Sequence, residues 1–229
     1  MSEKLVVAID GPAGAGKTTI ARQVAGELGY TYIDTGAMYR AITLRALRQG
    51  ITKNEASVSE MAGKSQISFQ KKEKRNSQPR VFLDHEDVTE LIRRQEVNEN
   101  VSLVSSYPGV RTAMAREQKR LASRRRVVME GRDIGTHVLP SARPKIFLTA
   151  SLDERARRRY QELKEKDLLE GMTLEEVKSD LERRDKLDST RDFAPLKKAE
   201  DAIEVDSTEL TISQVVEVIV DICLRTAVV

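Results

Sequence analysis

One short segment constrains the fold of this chain more than any other: "GPAGAGKTT" at residues 11–19, directly after the apolar run "LVVAI" at 5–9. A continuous apolar run is typical of a strand that is buried on both faces of a parallel sheet. The helical pattern that begins near Lys17 continues to Leu28 and stops at Gly29. A buried strand, a glycine-rich turn and a helix in this order predict the opening of an α/β fold.

The glycine-rich turn matches G-x-x-x-x-G-K-[ST], the pattern of a loop that binds phosphate. Its backbone N–H groups turn towards an anion, and the N-terminus of the following helix adds partial positive charge. We expect Lys17 to reach the β- and γ-phosphates of a nucleotide and Thr18 to hold Mg²⁺. The predicted ATP-binding residues of the loop are Gly11, Pro12, Ala13, Gly14, Ala15, Gly16, Lys17, Thr18 and Thr19.

Four further apolar segments alternate with helical patterns, which predicts a doubly wound parallel sheet. These segments are "YTYID" (30–34), "RVVME" (126–130), "KIFLTA" (145–150) and "AIEVDST" (202–208). After the first of them, Thr35 is expected to cap a helix that stops at Gly50. The predicted fold class is therefore α/β, with a central parallel sheet between layers of helices.

Residues 63–97 break this alternation. Two alternating segments, "QISFQ" at 66–70 and "RVFLD" at 80–84, flank a polar linker that contains a proline. This pattern predicts a small antiparallel β hairpin inserted into the α/β core. We interpret the insert as a mobile appendage, and a plain edge hairpin is the alternative.

Composition narrows the classes of protein to which the chain can belong. With 229 residues, of which 39% are hydrophobic and 33% charged, the chain can form one globular unit with a sizeable core. The 39 basic and 36 acidic residues leave a net charge of only +3, which does not favour a nucleic-acid binder. The basic runs at 71–75 and 124–126 are short, and the first is interpreted as a solvated loop or hairpin face instead of a binding patch.

The same sequence gives an expectation about the compartment. Cys223 is the only cysteine and is expected to pack as a thiol in a C-terminal helix, which fits a reducing compartment. No run approaches about 18 apolar residues, and no apolar segment follows a basic start. We therefore expect a soluble cytoplasmic protein that does not enter a membrane.

Three classes of phosphate-loop protein compete at this point. A GTPase switch normally carries D-x-x-G, and no Asp in this chain has Gly three positions later. A nucleic-acid-dependent ATPase is ordinarily larger or is built around a basic groove, which the charge balance does not indicate. A small-molecule kinase needs a second anion site that faces the first, and such a site is visible in the sequence.

The second site is expected at the carboxyl ends of the strands, where open α/β sheets bind their ligands. Asp34 and Thr35 follow the second strand, and Arg40 lies in the first turns of the next helix. Arg132 and Asp133 directly follow the strand at 126–130. Arginine suits such a site because its planar guanidinium binds phosphate oxygens in pairs.

A helix at 173–188 and its extension carry a third group of charges. Arg184, Asp188 and Arg191 have the spacing i, i+4, i+7, which places them on one helical face if the helix continues that far. Taken singly, each is also readily explained as a solvated charge, and Asp188 as a plain ion-pair partner of Arg184.

Several segments together carry a resemblance to a known family. In order they are "GPAGAGKTT", "DTGAMYR", "FLDHEDVTELIRRQEV", "YPGVR", "EGRDIGT", "KIFLTAS", "ERRDKLDSTRDFAPLKKAEDA" and "VDST". The chain resembles the bacterial cytidylate kinases, P-loop nucleoside monophosphate kinases, nearly from end to end. The resemblance implies transfer of phosphate from ATP with Mg²⁺ to CMP and dCMP by a monomer that binds no nucleic acid. A kinase for another pyrimidine monophosphate such as UMP is the alternative.

The resemblance also implies a division of the chain. Residues 1–62 and 98–229 correspond to the P-loop core, and residues 63–97 to an inserted region that closes over the monophosphate. The segment 153–170 corresponds to a short helical lid within the core. In this lid, one or two of Arg155, Arg158 and Arg159 are expected to reach the transferring phosphates, and Arg158 is assigned to ATP binding. An exposed basic helical face explains each of the three equally well.

Within the acceptor site, Arg40, Arg132 and Arg191 match positions that bind the acceptor phosphate, and Arg184 and Asp188 match positions near the sugar. The residues assigned to catalysis on the same basis are Lys17, Arg132, Arg184 and Arg191. The positions assigned to CMP binding are Asp34, Thr35, Arg40, Ser102, Arg111, Arg132, Asp133, Arg184, Asp188 and Arg191.

Ser102, Arg111 and Asp133 match positions that read the base. A carboxylate such as Asp133 can accept from the cytosine N4 amino group, while Arg111 and Ser102 donate to N3 and O2. Uracil would present O4 to that carboxylate, and unpaired buried groups make rejection strong.

Three other residues have weaker assignments. Glu130 ends its strand where a carboxylate could position Mg²⁺. His85 occupies a turn in which the family commonly has Gly, so a turn that needs φ > 0 is less well tolerated here. His137 is interpreted as a packing or surface residue and not as a metal ligand.

Overall fold

A parallel five-stranded sheet forms the centre of the molecule. The computed structural model describes residues 6–70, 78–123, 126–169 and 171–226. The sheet contains β1 (Val6–Asp10), β2 (Thr31–Asp34), β6 (Val127–Gly131), β7 (Lys145–Thr149) and β8 (Ile203–Asp206). Its order is β2-β6-β1-β7-β8, and every neighbouring pair is parallel. All five predicted strands are confirmed within one or two residues.

The helices follow the predicted alternation. They are α1 (Lys17–Leu28), α2 (Thr35–Arg48), α3 (Glu55–Lys64), α4 (Gln95–Ser106), α5 (Pro108–Ala122), α6 (Leu152–Glu165), α7 (Leu174–Thr190) and α8 (Ile212–Thr226). One short π-helix at Ile134–Val138 follows β6, and a 3₁₀ turn at Leu91–Arg93 precedes α4.

Alternate residues of the strands face two separate cores. Val7 and Ile9 of β1 pack in a cluster with α1 and α8, whereas Ala8 belongs to the cluster formed with α2 to α5. Each face of the sheet is therefore covered by helices, and the α/β three-layer fold is confirmed. The thiol of Cys223 is buried in the α8 cluster, as expected, and burial raises its pKa to about 12.

The described residues of the insert form three strands instead of the predicted two. β3 (Ile67–Gln70) and β4 (Arg80–Leu83) are antiparallel, and β5 (Glu86–Asp87) adds a third strand beside β4. The charged segment after β4 was too short to be recognised as a strand. The linker residues 71–75 lie outside the described residues.

A two-residue turn joins β4 and β5. Asp84 has φ 47° and His85 has φ 74°, so both central residues take the left-handed conformation of a type I′ turn. The turn therefore does require φ > 0 at His85, a conformation that histidine tolerates less well than glycine. Ile67 of β3 and Val81 of β4 are buried in the same hydrophobic cluster as the residues of α2. The insert therefore shares its core with the helices on that face of the central sheet.

Two local predictions were wrong. Asp34, and not Thr35, caps α2, because its Oδ1 accepts the N–H of Ala37 at 2.9 Å. Thr35 is instead buried and donates its hydroxyl to the carbonyl of Glu130 at 2.6 Å. The α7 helix ends at Thr190, so Arg191 lies just beyond it in extended conformation and does not continue the helical face.

Within the part of the chain that the structure describes, no helix combines the length and apolar character needed to cross a membrane.

Candidate active site

The phosphate loop joins β1 to α1 at the carboxyl edge of the sheet. Gly16 precedes the helix with φ 84°, in the left-handed region that favours glycine. A Cβ atom at Gly11 would lie 2.0 Å from the carbonyl oxygen of Leu148, so this position has no room for a side chain. The loop therefore requires glycine at both positions, Gly16 for its positive φ and Gly11 for the close approach of Leu148.

Lys17 is buried inside the loop. Its Nζ donates to the carbonyl oxygen of Pro12 at 2.6 Å, and only 6% of the residue is exposed. Burial lowers the pKa of Lys17, and the neighbouring charge of Arg132 lowers it further. An anion that replaced the carbonyl contact would restore a counter-charge to this amine.

Glu130 faces Lys17 from the end of β6. Its Oε1 accepts the hydroxyl of Tyr32 at 2.5 Å, and the residue is 4% exposed. Burial raises the pKa of Glu130, and so does the charge of Asp34, while Lys17 and hydrogen bonds from Tyr32 and Thr18 act in the opposite direction. A buried carboxylate thus lies beside the residue predicted to hold Mg²⁺.

Asp10 is a site residue that sequence reasoning missed. Its carboxylate accepts the N–H groups of Ile134 at 2.9 Å and Gly135 at 2.7 Å, which fixes the π-helix after β6 against β1. Burial raises the pKa of Asp10 to about 6, despite the lowering effect of those two hydrogen bonds. The signal in the sequence was an acidic residue at the end of an otherwise apolar strand.

A group of arginines converges on the space beyond the loop. The pKa of Arg40 is lowered to about 10, chiefly by burial. Asp34 raises the pKa, whereas the positive charges of Arg184, Arg159 and Arg93 add to the lowering. The pKa of Arg184 is also lowered, by burial first and then by neighbouring guanidinium groups that include Arg159. Several guanidinium groups thus act on one another electrostatically in this region, which is a charge distribution that suits an anion.

Arg93 and Arg159 were not singled out for this site by the sequence. Arg93 lies on the 3₁₀ turn that follows the insert, and Arg159 lies on α6, where its Nη1 also pairs with Glu162 at 2.8 Å. Their neighbours in sequence, Arg94 and Arg158, carry the same charge, so the pattern alone could not choose between them.

The predicted acceptor residues after β6 and on α7 form an alternating ion network. Arg132 Nε lies 2.9 Å from Asp188 Oδ2, and Asp188 Oδ1 lies 3.2 Å from Arg191 Nη1. Arg191 Nη2 in turn lies 3.8 Å from Asp133 Oδ1. Arg184 pairs at 3.0 Å with Asp180 instead of Asp188, so the plain pairing considered from the spacing does not occur.

Arg111 closes this network in the most buried part of the site. Its Nη2 lies 2.7 Å from Asp133 Oδ2, and the two side chains are 3% and 6% exposed. The guanidinium carbon lies 5.5 Å from the ring centroid of Tyr39, within the range of a cation–π contact. Among the described residues, the buried Arg111 Nε and Arg191 Nη2 lack a hydrogen-bond partner, so both remain available as donors.

Ser102 and Arg158 lie at the margins of the site. Ser102 is on α4, one turn before Ser105, whose carbonyl accepts Arg111 Nη1 at 3.3 Å. Arg158 donates to Ser207 Oγ at 3.0 Å and to its carbonyl at 2.5 Å, which fixes the segment after β8. The roles predicted for these two residues in CMP and ATP binding stay predictions.

The structure also describes the surroundings of the two histidines. His137 packs edge-on against Phe193 with ring centroids 5.0 Å apart, which agrees with its interpretation as a packing residue. His85 is exposed at the tip of the type I′ turn.

Comparison with known proteins shows which family the chain is similar to. The family model described as Cytidylate kinase matches residues 7–225. A cytidylate kinase of Caldanaerobacter subterraneus subsp. tengcongensis is 52% identical over 212 residues, covering 92% of this chain and 91% of the relative. A cytidylate kinase of Oceanobacillus iheyensis is 50% identical over 216 residues, covering 94% and 92%.

A solved structure of a gluconokinase from Sinorhizobium meliloti 1021 superposes with a TM-score of 0.50 at 14% identity. It covers 99% of this chain and 95% of that one, and at this identity the likeness concerns the fold alone.

Proposed function

The chain belongs to the cytidylate kinase family, and from that premise we propose that it transfers the γ-phosphate of ATP to CMP, and also to dCMP. The products are ADP and CDP or dCDP. The observation that carries the proposal is the buried Arg111–Asp133 pair beside the arginine cluster, because it joins a base-reading group to an anion site.

The donor site is the phosphate loop. Backbone N–H groups of residues 14–18 and the N-terminus of α1 face the phosphates, and Lys17 supplies the positive charge between them. Thr18 is exposed at the start of the helix, with Glu130 beside it. A hydroxyl and a carboxylate fit Mg²⁺, which takes few protein ligands and binds mainly through nucleotide phosphates and water. Bound there, Mg²⁺ would neutralise charge on the β- and γ-phosphates.

The acceptor site explains the choice of base. Asp133 accepts from the cytosine N4 amino group, while Arg111 Nε and Ser102 donate to N3 and O2. Uracil places O4 against the Asp133 carboxylate, so a buried anion would face a lone pair. Sites that leave a buried group unpaired reject the wrong substrate strongly.

Transfer needs alignment and charge neutralisation instead of a strong base, because the nucleophile is already a phosphate oxygen. Arg40, Arg132 and Arg191 bind the acceptor phosphate, and Arg184, near the sugar, assists the transfer. Together with Lys17 these side chains hold the two phosphates in line and stabilise the charge that spreads over the transferred group.

Closure would complete the site. We propose that residues 63–97 close over the monophosphate and that the segment 153–170 acts as a lid on the core formed by 1–62 and 98–229. Exclusion of water from the γ-phosphate predicts slow ATP hydrolysis when no acceptor is present. Vigorous hydrolysis without acceptor would argue against this closure.

One assay tests the function: coupled ADP release from ATP with CMP, dCMP, UMP, AMP and GMP as acceptors, and Lys17→Ala as the inactive control. Turnover that is fastest with CMP and dCMP supports the proposal. Turnover that is fastest with UMP would support the other pyrimidine kinase. Salt-sensitive RNA retention without monophosphate turnover would instead indicate a nucleic-acid-binding module.

A further inference from the structure

Two residues outside the roles assigned above hold the phosphate loop by its backbone. The N–H of Ala13 donates to Asp185 Oδ1 at 3.0 Å, and the carbonyl of Ala13 accepts Arg155 Nη1 at 3.0 Å. The same Nη1 also pairs with Asp185 Oδ2. One ion pair therefore occupies both polar backbone groups of a single loop residue.

The pair also ties the loop to its surroundings. Arg155 Nε donates to the carbonyl of Ala150, just after β7, at 3.1 Å. A Cβ atom at Gly14 would lie 3.2 Å from both the Cβ and the carbonyl oxygen of Arg155, so the loop passes directly against α6. Ala13 packs in a small apolar cluster with Ala156 of α6 and Leu181 of α7. The position of the loop thus depends on both helices.

The place of Asp185 in α7 gives this contact a further meaning. Asp185 directly follows Arg184 and lies one turn before the acceptor-site residue Asp188. The residues that face the acceptor and the residue that holds the donor loop are therefore on one rigid helical turn. Any shift of α7 on acceptor binding would be passed to the Ala13 peptide through a direct hydrogen bond.

We propose that Arg155 and Asp185 are positioning residues that set the phosphate loop for ATP and couple its geometry to acceptor binding. The identity of the two substrates in this inference rests on the proposed function. Neither side chain need touch a substrate, because each acts through the backbone of Ala13. Charge-assisted hydrogen bonds to a backbone group are strong and directional, which suits this role.

The test compares three variants. Asp185→Asn keeps an oxygen for the Ala13 N–H but removes the negative charge that faces Arg155, and Asp185→Glu keeps the charge. The matched control is Lys178→Met, which breaks the 2.5 Å pair between Lys178 of α7 and Asp153 of α6. That pair also joins the two helices, but no contact of it with the loop is present among the described residues.

Two readouts separate positioning from stability. Steady-state kinetics at a temperature well below every melting transition give KM for ATP and for CMP. Calorimetry then gives the affinity for a non-transferable ATP analogue without and with CMP. For Asp185→Asn we expect KM for ATP to rise about tenfold, because a neutral amide replaces the carboxylate in its charge-assisted contact with Arg155. Affinity for CMP alone, measured by calorimetry without the analogue, should stay within about twofold, because CMP binding is then not coupled to the loop.

The effect of CMP on analogue affinity should fall towards none in Asp185→Asn and be retained in Lys178→Met, with partial recovery in Asp185→Glu. If Asp185→Asn behaves like Lys178→Met, or only lowers the melting temperature, the positioning role is wrong. If the wild-type protein fails to phosphorylate CMP, the proposed function fails. Analogue affinity without CMP, compared between wild type and Asp185→Asn, still tests the positioning of the loop.

Discussion

Arg111 and Asp133 form an ion pair of 2.7 Å that is almost completely withdrawn from solvent. Through Asp133 the pair also contacts Arg191, which contacts Asp188. A series of ion pairs thus connects the group proposed to read the base with the groups proposed to bind the phosphate. Replacement of one carboxylate should therefore affect acceptor recognition before it affects the donor loop.

Asp133→Asn tests this relationship. The amide keeps the shape of the carboxylate but presents a donor or a neutral acceptor to the cytosine amino group, and it leaves Arg111 without a full counter-charge. We expect kcat/KM for CMP to fall about 10²-fold, with KM for ATP changed by less than about twofold. The matched control is Asp192→Asn, because Asp192 is exposed in the loop that follows α7. Equal losses for ATP and CMP would show that Asp133 does not read the base.

Lys17→Met should separate activity from stability. Loss of the loop amine should lower kcat by at least about 10²–10³-fold, as expected for removal of a preorganised charge. Because burial lowers the pKa of Lys17, the unfolded chain binds this proton more tightly than the folded protein does. Wild-type stability without nucleotide should therefore rise with pH between the lowered pKa of the folded protein and the usual lysine pKa of 10.5, and the variant should lose that component.

Urea unfolding at several pH values between neutral and weakly alkaline measures the second effect. A variant that is inactive and also much less stable at every pH would mean that Lys17 is a structural residue of the apo loop.

Asp10 predicts a pH dependence of the opposite kind. Burial raises its pKa from 3.8 to about 6, so the folded protein binds the proton more tightly than the unfolded chain. Its contribution to stability is fully present below about pH 4 and is lost as pH rises through about 6. Relative to Asp10→Asn, the free energy of unfolding of the wild type should fall by about 3 kcal/mol across that range and then level off.

The control is Asp201→Asn, in the pair of Asp201 with Lys145. There, hydrogen bonding to Lys145 lowers the pKa of Asp201, so the wild-type advantage should diminish as pH falls. Urea unfolding of the wild type and of both variants, at a series of fixed pH values, gives the free energies of unfolding for these comparisons. Parallel wild-type and Asp10→Asn curves between pH 4 and 7 would contradict a raised pKa at Asp10.

Arg93→Met examines one of the two arginines that were not singled out from the sequence. Its charge acts on Arg40, so its removal should weaken binding of the acceptor phosphate and raise KM for CMP about tenfold. The exposed Arg94→Met removes the same charge one residue further along. If both variants raise KM for CMP equally, general electrostatic attraction, and not a specific contact, explains the effect.

The sequence predicted the sheet well because its signals are local. Strands buried on both faces are continuous apolar runs, and the glycine loop fixes the junction between β1 and α1. The start of α2 was misplaced by one residue because Asp34 and Thr35 are both good caps, and only the carbonyl of Glu130 across the sheet decides between them. The strand Glu86–Asp87 was missed because two charged residues carry no alternating pattern.

In the site, residues that follow strands directly were found, because topology places strand ends along one edge. The partners of those residues were not predictable. Whether Asp188 pairs with Arg184 or with Arg132 depends on the direction in which α7 crosses the loop after β6. Asp10 and Asp185 bind backbone groups, and a backbone N–H has no signature in the sequence.

The position of Asp185 between Arg184 and Asp188 also limits where natural relatives can carry insertions or deletions. One inserted residue within the last two turns of α7 would rotate everything beyond it by about 100°. Such a change would separate the group that holds Ala13 from the group that pairs with Arg132, and no single compensating substitution could restore both. Length variation is instead expected in the turn between α6 and α7, so an alignment of natural relatives should keep the segment 181–191 free of gaps.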